Sequence, residues 1–341
     1  MTAATLRVGE SVSLRVRTRP LVVGGVLAAA VLALAVVSIG TGDLPLSPAT
    51  VVSALLGGAD PGAEFIVREL RLPRILCALL VGAALGLSGA IFQSLTRNPL
   101  GSPDIVGFPQ GASVGALIVI TILAGSGAAV SLGALIGGGV TALAVYVLAF
   151  KRGATSSYRI VLIGIAIAYL LLSVIDYLLA RARIEEAQEA TRWLLGSLNG
   201  RTWEDLVPLA LSLAVLVPLT IPAARALKAL ELGDDAAHAL GLRVELSRLA
   251  LVGVAVALVS VTTVAVGPVG FVALTAPQIA RRLARTAGLP LVCAALMGAA
   301  LMLAADIAGQ RVDLPVGVMT GAFGGLYLAW LLTMEWRSGR G

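Results

Sequence analysis

The stretch LLVGAALGLSGAIFQSLTRNPLGSPDIVGF, residues 79–108, joins an apolar run to a short polar turn. Residues 95–108 contain two prolines, two glycines, one Asn, one Arg and one Asp, and long uncharged runs lie on both sides. An apolar helix of about 20 residues crosses the roughly 30 Å hydrocarbon core of a bilayer. The stretch therefore predicts two membrane helices joined by a turn that Pro99 and Pro103 stiffen, with Asp104 as the cap of the second helix.

The composition extends this interpretation to the whole chain. Apolar residues make up 58% of the 341 residues and charged residues only 13%, whereas soluble domains average about 25% charged residues. The net charge is +6, but only 4% of the residues are aromatic and the basic residues do not cluster, which argues against a nucleic-acid-binding protein. The predicted class is an all-α, polytopic integral membrane protein.

Ten segments are long and apolar enough to be membrane spans. Glycine-containing breaks at residues 125–127 and 267–270 each divide a longer apolar run into two spans. The ten predicted spans are residues 21–39, 75–96, 105–124, 129–150, 160–179, 206–222, 249–266, 270–286, 289–306 and 314–334.

The basic residues predict the orientation of these spans. Ten spans place both termini on one side, and the segments on that side hold 17 Lys and Arg residues against 8 on the other. Because basic residues concentrate on the cytoplasmic side of membrane proteins, we expect both termini in the cytoplasm. Residues 1–20 are then a basic cytosolic tail, and residues 21–336 form a single transmembrane domain.

The motifs of nucleotide and metal chemistry are missing from the sequence. The only lysines, Lys151 and Lys228, do not belong to a phosphate-binding G-x-x-x-x-G-K-[ST] motif. The single histidine, His238, has no second metal ligand beside it. Cys77 and Cys293 fall within apolar runs, where small buried side chains are expected. We therefore expect no enzymatic activity and no metal or cofactor bound by this chain.

Two acidic residues, Asp176 and Asp306, lie within predicted spans. Ionisable residues in a membrane helix are functional candidates, but both lie near the outer ends of their spans and are also expected as partly hydrated helix-end carboxylates. A carrier coupled to H⁺ or Na⁺ usually has carboxylates or broken helices near the midplane, and the sequence offers neither clearly. An ion-coupled secondary carrier stays open as the alternative to a transporter with an external motor.

Residues 223–248 are patterned more strongly than a plain connector requires. Gly233 and Gly241 are helix-stop signals, and Asp234 or Asp235 can cap a short helix between them. The segment predicts either a knob of two short helices at the inner surface or a solvated loop.

Residues 64–74 precede the second span on its outer side. Pro73 suits the first turn of that helix, where a missing N–H costs nothing. Arg71 and Arg74 are three residues apart and share one helix face. The pair predicts either a docking site for carboxylates of another protein or interfacial arginines whose charged ends reach water.

Several stretches together resemble the FecCD-type permease subunits of bacterial ABC importers, which import ferric siderophores, haem or vitamin B12. Residues 93–108 are most similar to the ferric-enterobactin branch of that family. The matching runs, which cover about residues 20–335 in the expected order, are RLPR at 71–74, LLVGAALGLSGAIFQ at 79–93, NPLGSPD at 98–104, WLLGSL at 193–198, LGDDAAHALG at 232–241, GPVGF at 267–271, AAD at 304–306 and LPVGV at 314–318.

The resemblance implies a type II importer fold of ten transmembrane helices per subunit, with two subunits around one pathway in the bacterial plasma (inner) membrane. It implies an ABC ATPase dimer that uses ATP, a second permease subunit and an extracytoplasmic substrate-binding protein as partners. The branch resembled uses two different permeases, so a heterodimer is favoured and a homodimer stays open. The implied cargo is a ferric siderophore, with vitamin B12 or haem as alternatives.

The resemblance also implies residue roles. Arg71 and Arg74 match arginines that meet acidic residues of the binding protein, and Arg311 stands near the place of a third. The turn at residues 95–108 is expected as a rigid corner beside the ATPase. Residues 223–248 match the ATPase-coupling segment, with the closest match in Glu231, Leu232, Gly233, Asp234, Asp235, Ala236, Ala237, Ala239, Leu240 and Gly241.

The sequence departs from the family pattern in two places. Gln278 follows Pro277 where the family usually has His. The chain is also several residues shorter than is typical between Asp306 and Leu314, which weakens the match of Arg311.

Overall fold

The structure is a computed structural model and describes residues 3–8, 12–42, 44–150, 157–286, 288 and 290–337. Parts of the predicted tail, at residues 1–2 and 9–11, and the basic residues 151, 152 and 340 of the charge count lie outside these ranges. The elements are β1 (Ala3–Val8), β2 (Val12–Arg17), α1 (Thr18–Gly40), α2 (Pro48–Leu56), α3 (Pro61–Phe65), a π-helix (Ile66–Arg71), α4 (Leu72–Thr96), α5 (Phe108–Thr121), α6 (Ala128–Ala149), α7 (Ser157–Arg181), α8 (Ile184–Leu194), α9 (Trp203–Glu231), α10 (Asp234–Ala239), α11 (Val244–Val266), α12 (Val272–Ala284), α13 (Leu291–Val312) and α14 (Val316–Arg337).

The all-α fold class is confirmed, with one addition near the N-terminus. There β1 and β2 form a two-stranded antiparallel hairpin, in which Ala3 lies opposite Arg17. The end of the helical bundle that holds α10 is called the inner end. The opposite end, which holds α2, α3 and α8, is called the outer end.

Each of the ten predicted spans contains a helix, but the helices are not equally long. Eight of those in the described ranges are long and apolar enough to cross a membrane. The exceptions are α5 and α12, with 14 and 13 residues, which corresponds to about 20 Å of helix. The predicted spans 105–124 and 270–286 were therefore longer than the helices that they contain. Neither α5 nor α12 is long enough to cross a bilayer alone.

Both short helices begin inside the bundle. Gly107 precedes α5 with φ 90° and lies against Ala168 of α7, where an added Cβ would be 3.1 Å from the Ala168 Cα atom. Ala168 is about 16 Å along the axis of α7 from its first residue. Similarly, Phe271 precedes α12 with φ 68° and packs on Gly324 of α14. The irregular segments before α5 and α12 therefore fold into the bundle and take up part of its thickness.

The central helix of the bundle is α4. Of its 25 residues, 18 are buried, whereas only two of the 23 residues of α1 are buried. It packs against α9, α11, α12 and α13. A helix surrounded in this way has no lipid-facing side, so nearly every position along it must fit a neighbouring helix.

Glycines set the distance between α4 and α13. An added Cβ at Gly82 would collide with the carbonyl oxygen of Gly298, and one at Gly86 would collide with that of Ala294. Small residues allow close backbone approach between membrane helices. Gly82 and Gly86 are therefore contact points of the core.

We expect Gly86→Val to destabilise the protein, because the added side chain has to push α13 away from α4. Overpacking of a tight core costs about 1–3 kcal/mol, so the thermal unfolding midpoint in detergent falls. Gly139→Val on α6 is the matched control, since nothing lies within 4 Å of its Cβ position. Equal losses in both variants would contradict a special role for the α4–α13 contact.

Candidate functional site

The inner end carries the segment that was predicted to couple to an ATPase. There α9 runs without a break from Trp203 to Glu231, so the first of the two predicted short helices is part of the sixth span. Burial of Leu227 and Leu230 against the bundle keeps the helix continuous. The second predicted helix is present as α10, and Gly233, with φ 114°, forms the bend between them.

Asp234 does not cap α10 as predicted, and neither does Asp235, since the N-cap residue is Gly233 and no side chain caps it. The carboxylate of Asp234 instead lies between two arginines, 3.1 Å from Nη2 of Arg97 and 3.0 Å from Nη2 of Arg248. Arg97 ends α4, and Arg248 lies near the start of α11. One carboxylate therefore ties α10 to two membrane helices.

Both arginines are held by further contacts. Nη2 of Arg97 also donates to the carbonyl oxygen of Leu230 at 2.7 Å. Nη1 of Arg248 donates to Glu245 at 2.8 Å, and the Arg248 side chain is only 7% exposed. Arg97 and Asp234 are themselves about half exposed, so the firmer half of this brace is the buried guanidinium of Arg248, which would be left uncompensated without its carboxylates.

The surface of the coupling segment exposes two leucines. Leu232 and Leu240 are 69% and 68% exposed and lie at the two ends of α10. Ala237, between them, is completely buried under the helix. The other predicted coupling residues are exposed or partly exposed. The two leucines are therefore accessible for contact with a partner.

A buried amide pair fastens the turn at residues 97–107 to the bundle. Nε2 of Gln278 donates to Oε1 of Gln93 at 2.7 Å and to the carbonyl oxygen of Pro99 at 2.8 Å. Nε2 of Gln93 donates to the carbonyl oxygen of Leu274 at 2.8 Å. Gln278, the departure from the family pattern, is therefore a structural link between α4, α12 and the turn.

Asp104 does not cap α5, whose N-cap residue is Gly107 without a side-chain cap. Both carboxylate oxygens of Asp104 are buried and lack a partner with hydrogen-bond geometry. Burial raises the pKa of Asp104 to about 6, although the nearby Ser102 hydroxyl and Phe271 backbone N–H act in the opposite direction. Asp104 thus lies beside the irregular start of α12 as well as before α5.

At the outer end, Asp306 and Arg74 form a buried ion pair between α13 and α4. Nη2 of Arg74 lies 2.8 Å from Oδ1 of Asp306, and its Nε lies 3.0 Å from Oδ2. Nε2 of Gln310 donates to the same Oδ2 at 2.8 Å. Asp306 is 1% exposed, so the expectation of a partly hydrated helix-end carboxylate was wrong; the paired guanidinium makes its burial tolerable.

The other two predicted docking arginines differ in their surroundings. Arg71 ends the π-helix and donates to the carbonyl oxygens of Ile39, at 2.8 Å, and Leu44. Arg71 and Arg74 both line a cavity of about 390 Å³ at the outer end. Arg311 is exposed and borders an adjacent cavity. All three lie at one end of the bundle, and their docking role stays a prediction.

Comparison with known proteins decides the family. The model of the FecCD transport family matches residues 30–334. The chain belongs to the FecCD transport family. The resemblance seen in the sequence is therefore confirmed, and it extends over nearly the whole length of this chain.

Individual relatives agree with this. The FecCD chain is 46% identical over 304 residues to the ferric enterobactin transport system permease protein FepG of Escherichia coli, covering 87% of this chain and 91% of the relative. It is 39% identical to the achromobactin transport system permease protein CbrC of Dickeya dadantii, covering 89% of each chain. It is 33% identical to the cobalamin import system permease protein BtuC of Halobacterium salinarum, covering 97% of this chain and 86% of the relative.

A solved structure has the same fold. A metal-chelate type ABC transporter in an inward-facing conformation superposes with a TM-score of 0.80 at 28% identity. The match covers 92% of the FecCD chain and 99% of the other.

Sequence reasoning missed the partners of the predicted site residues. Arg97 and Gln93 support α10 and the turn, yet they lie 137 and 185 positions along the chain from Asp234 and Gln278. Arg248 is 14 positions from Asp234 and ends the predicted coupling segment. The sequence signal for Arg97 and Gln93 was their place beside the family-matching runs. Gln93 is the last residue of the run at 79–93, and Arg97 directly precedes the run at 98–104.

We expect Arg74→Ala to destabilise the FecCD protein by about 3–5 kcal/mol, because it leaves the buried carboxylate of Asp306 without its cation. Thermal unfolding in detergent measures the loss. Arg311→Ala, on an exposed side chain, is the control and is expected to change stability by less than about 0.5 kcal/mol. Adding Asp306→Asn to Arg74→Ala should restore part of the stability; no restoration would argue against an uncompensated charge.

We expect Gln278→Leu to loosen the turn at residues 97–107, because it leaves the oxygens of Gln93 and Pro99 without a donor. A buried unsatisfied polar group costs about 1–3 kcal/mol. Hydrogen exchange at residues 97–107 and the unfolding midpoint are the measurements. Gln188→Leu, on an exposed position of α8, is the control. Unchanged hydrogen exchange at residues 97–107 in Gln278→Leu would contradict the role of Gln278 in holding the turn.

Proposed function

We propose that the chain is the membrane permease subunit of an ATP-driven importer that moves a ferric siderophore from a binding protein into the cytoplasm. The observation that carries the proposal is the 46% identity, over nearly the full length, to a ferric enterobactin permease. The achromobactin permease follows at 39%, whereas the cobalamin permease is at 33%. Identity therefore favours an iron chelate over a cobalamin as the cargo.

The cobalamin permease supports a second candidate cargo, because its alignment covers 97% of this chain. Vitamin B12 and haem therefore belong in any test of the cargo. An ion-coupled secondary carrier has less support: among the described residues of the spans, the acidic side chain that is buried, Asp306, already has a guanidinium and an amide as partners.

The inner end suits a permease that receives movement from a separate ATPase subunit. A docked ATPase would meet Leu232 and Leu240 on the outside of α10. Movement of α10 would reach α4 through the pair of Asp234 with Arg97, and α11 through its pair with Arg248. In this proposal the partner subunit hydrolyses ATP, and α10 passes the resulting movement to the bundle.

One face of α7 suits a second permease subunit. Asp176 and Tyr177 are exposed on this membrane-spanning helix, and Tyr169 is exposed two turns earlier. A carboxylate facing lipid is costly, by about 2.5–3.5 kcal/mol near the bilayer centre and less towards its surface. A second subunit that packs over Asp176, or a water-filled pathway beside it, removes this cost. We propose a heterodimer, with the homodimer as the alternative.

The outer end suits docking of a binding protein. Arg71 and Arg74 have internal partners but still line an open cavity, and Arg311 is exposed beside it. Carboxylates of the binding protein would approach from this side. The excess of basic residues at the inner segments, 17 against 8, supports an orientation with both termini in the cytoplasm of a bacterial cell and the chain in its inner membrane.

We expect Leu232→Glu with Leu240→Glu to abolish ATP-driven uptake, because the charges disrupt the apolar surface that meets the ATPase. The measurement is uptake of ferric enterobactin, cobalamin and haem by proteoliposomes that hold the permease pair, the ATPase and the binding protein. Only the ferric chelate should accumulate, and only with ATP. The ATPase should no longer co-purify with the variant.

Leu283→Glu is the matched control, because Leu283 is 46% exposed near the inner end but lies outside the coupling segment. Uptake driven by an ion gradient without an ATPase would overturn the proposal. Accumulation of cobalamin in preference to the ferric chelate would be consistent with an ATP-driven importer but would show that its cargo is cobalamin.

A further inference from the structure

A cavity of about 640 Å³ lies at the outer end between α6, α9 and α11, next to α8. It follows α9 from Glu204 to Ser212, which is about 12 Å along the helix axis. Below its rim, Ser131 and Ser212 are the polar side chains among the described lining residues, and the remainder of that part is apolar. A cavity of this depth and polarity suits a flexible hydrocarbon chain.

The cavity opens sideways towards the lipid. Leu135 lines it and is 47% exposed. Leu132 of α6 and Leu211 of α9, the chain neighbours of the lining residues Ser131 and Ser212, are 58% and 64% exposed. Because α6 and α9 are both long and apolar enough to span a membrane, we expect these exposed side chains to face acyl chains. A lipid tail can therefore enter from the bilayer without crossing a polar surface.

The rim of the cavity is acidic. It holds the carboxylates of Glu189, Glu204 and Asp205 and one guanidinium, that of Arg201, so its formal charge is −2. Arg201 and Asp205 pair at 3.3 Å. Within the described part of the chain, neither Glu189 nor Glu204 is within ion-pair distance of a basic side chain. The two unpaired carboxylates therefore attract a cation to the mouth of an apolar cavity.

We propose that this cavity binds a phospholipid with a primary-amine headgroup. Its acyl chain occupies the apolar part, its ammonium group meets Glu189 and Glu204, and Arg201 on the same rim faces the phosphate. An ammonium group donates charge-assisted hydrogen bonds to carboxylates, which a quaternary choline group cannot do. The headgroup of phosphatidylglycerol has no cation, and its net negative charge is repelled by the rim. The indole of Trp193, also on the rim, suits the same water–lipid boundary.

The test is lipid retention by the full chain in its complex. The complex is exchanged into nanodiscs with equal amounts of phosphatidylethanolamine, phosphatidylcholine and phosphatidylglycerol, and co-purified lipid is counted by native mass spectrometry. We expect phosphatidylethanolamine to be retained on the order of tenfold over either competitor, which corresponds to about 1.4 kcal/mol. Glu189→Gln with Glu204→Gln should abolish that preference but keep some lipid bound.

Glu69→Gln with Glu185→Gln is the matched control, because both residues are exposed and neither lines the cavity. Ser131→Trp, which places an indole in part of the cavity, should reduce retention of all three lipids. Equal retention in the wild type, or an unchanged preference in the Glu189 and Glu204 variant, would overturn the proposal. A third result would also overturn it: Ser131→Trp retains its lipid but no longer binds the iron chelate. The cavity would then belong to the cargo pathway.

Discussion

The close approach of α4 to its neighbours is the constraint on which the rest of the structure depends. Most of α4 is buried, and at Gly82 and Gly86 its backbone touches that of α13. No side chain fits between the two backbones, so the distance between the helices is set by covalent geometry and van der Waals contact. In lipid, where apolar burial alone does not drive helices together, such contacts supply much of the attraction.

The two ends of α4 carry the charges that connect the core to both surfaces. Arg74 at the outer end pairs with Asp306, and Arg97 at the inner end pairs with Asp234. They are 23 residues apart along the chain, which is about 34 Å along a helix. A stiff, enclosed helix with an ion pair at each end links the predicted docking surface to the predicted coupling surface.

The apolar pattern was enough to predict where the helices lie, and local signals placed Pro73 in the first turn of α4. The errors have a common cause. Asp104, and Asp234 or Asp235, were predicted as helix caps from their neighbours in sequence. Asp104 is instead buried beside the start of α12, and Asp234 pairs with arginines of α4 and α11. Spans three and eight were judged by apolar length, which cannot distinguish a helix from an irregular segment folded into the bundle.

The sequence by itself determined the class of molecule, the approximate positions of ten helices and the family, because hydrocarbon thickness and a specific set of motifs leave little choice. Only the tertiary structure decided the partners of Arg74, Arg97, Gln93 and Gln278, and the short lengths of α5 and α12. These depend on contacts between residues up to 232 positions apart. No local pattern encodes such a contact, because its energy exists only once the helices between the two residues have packed.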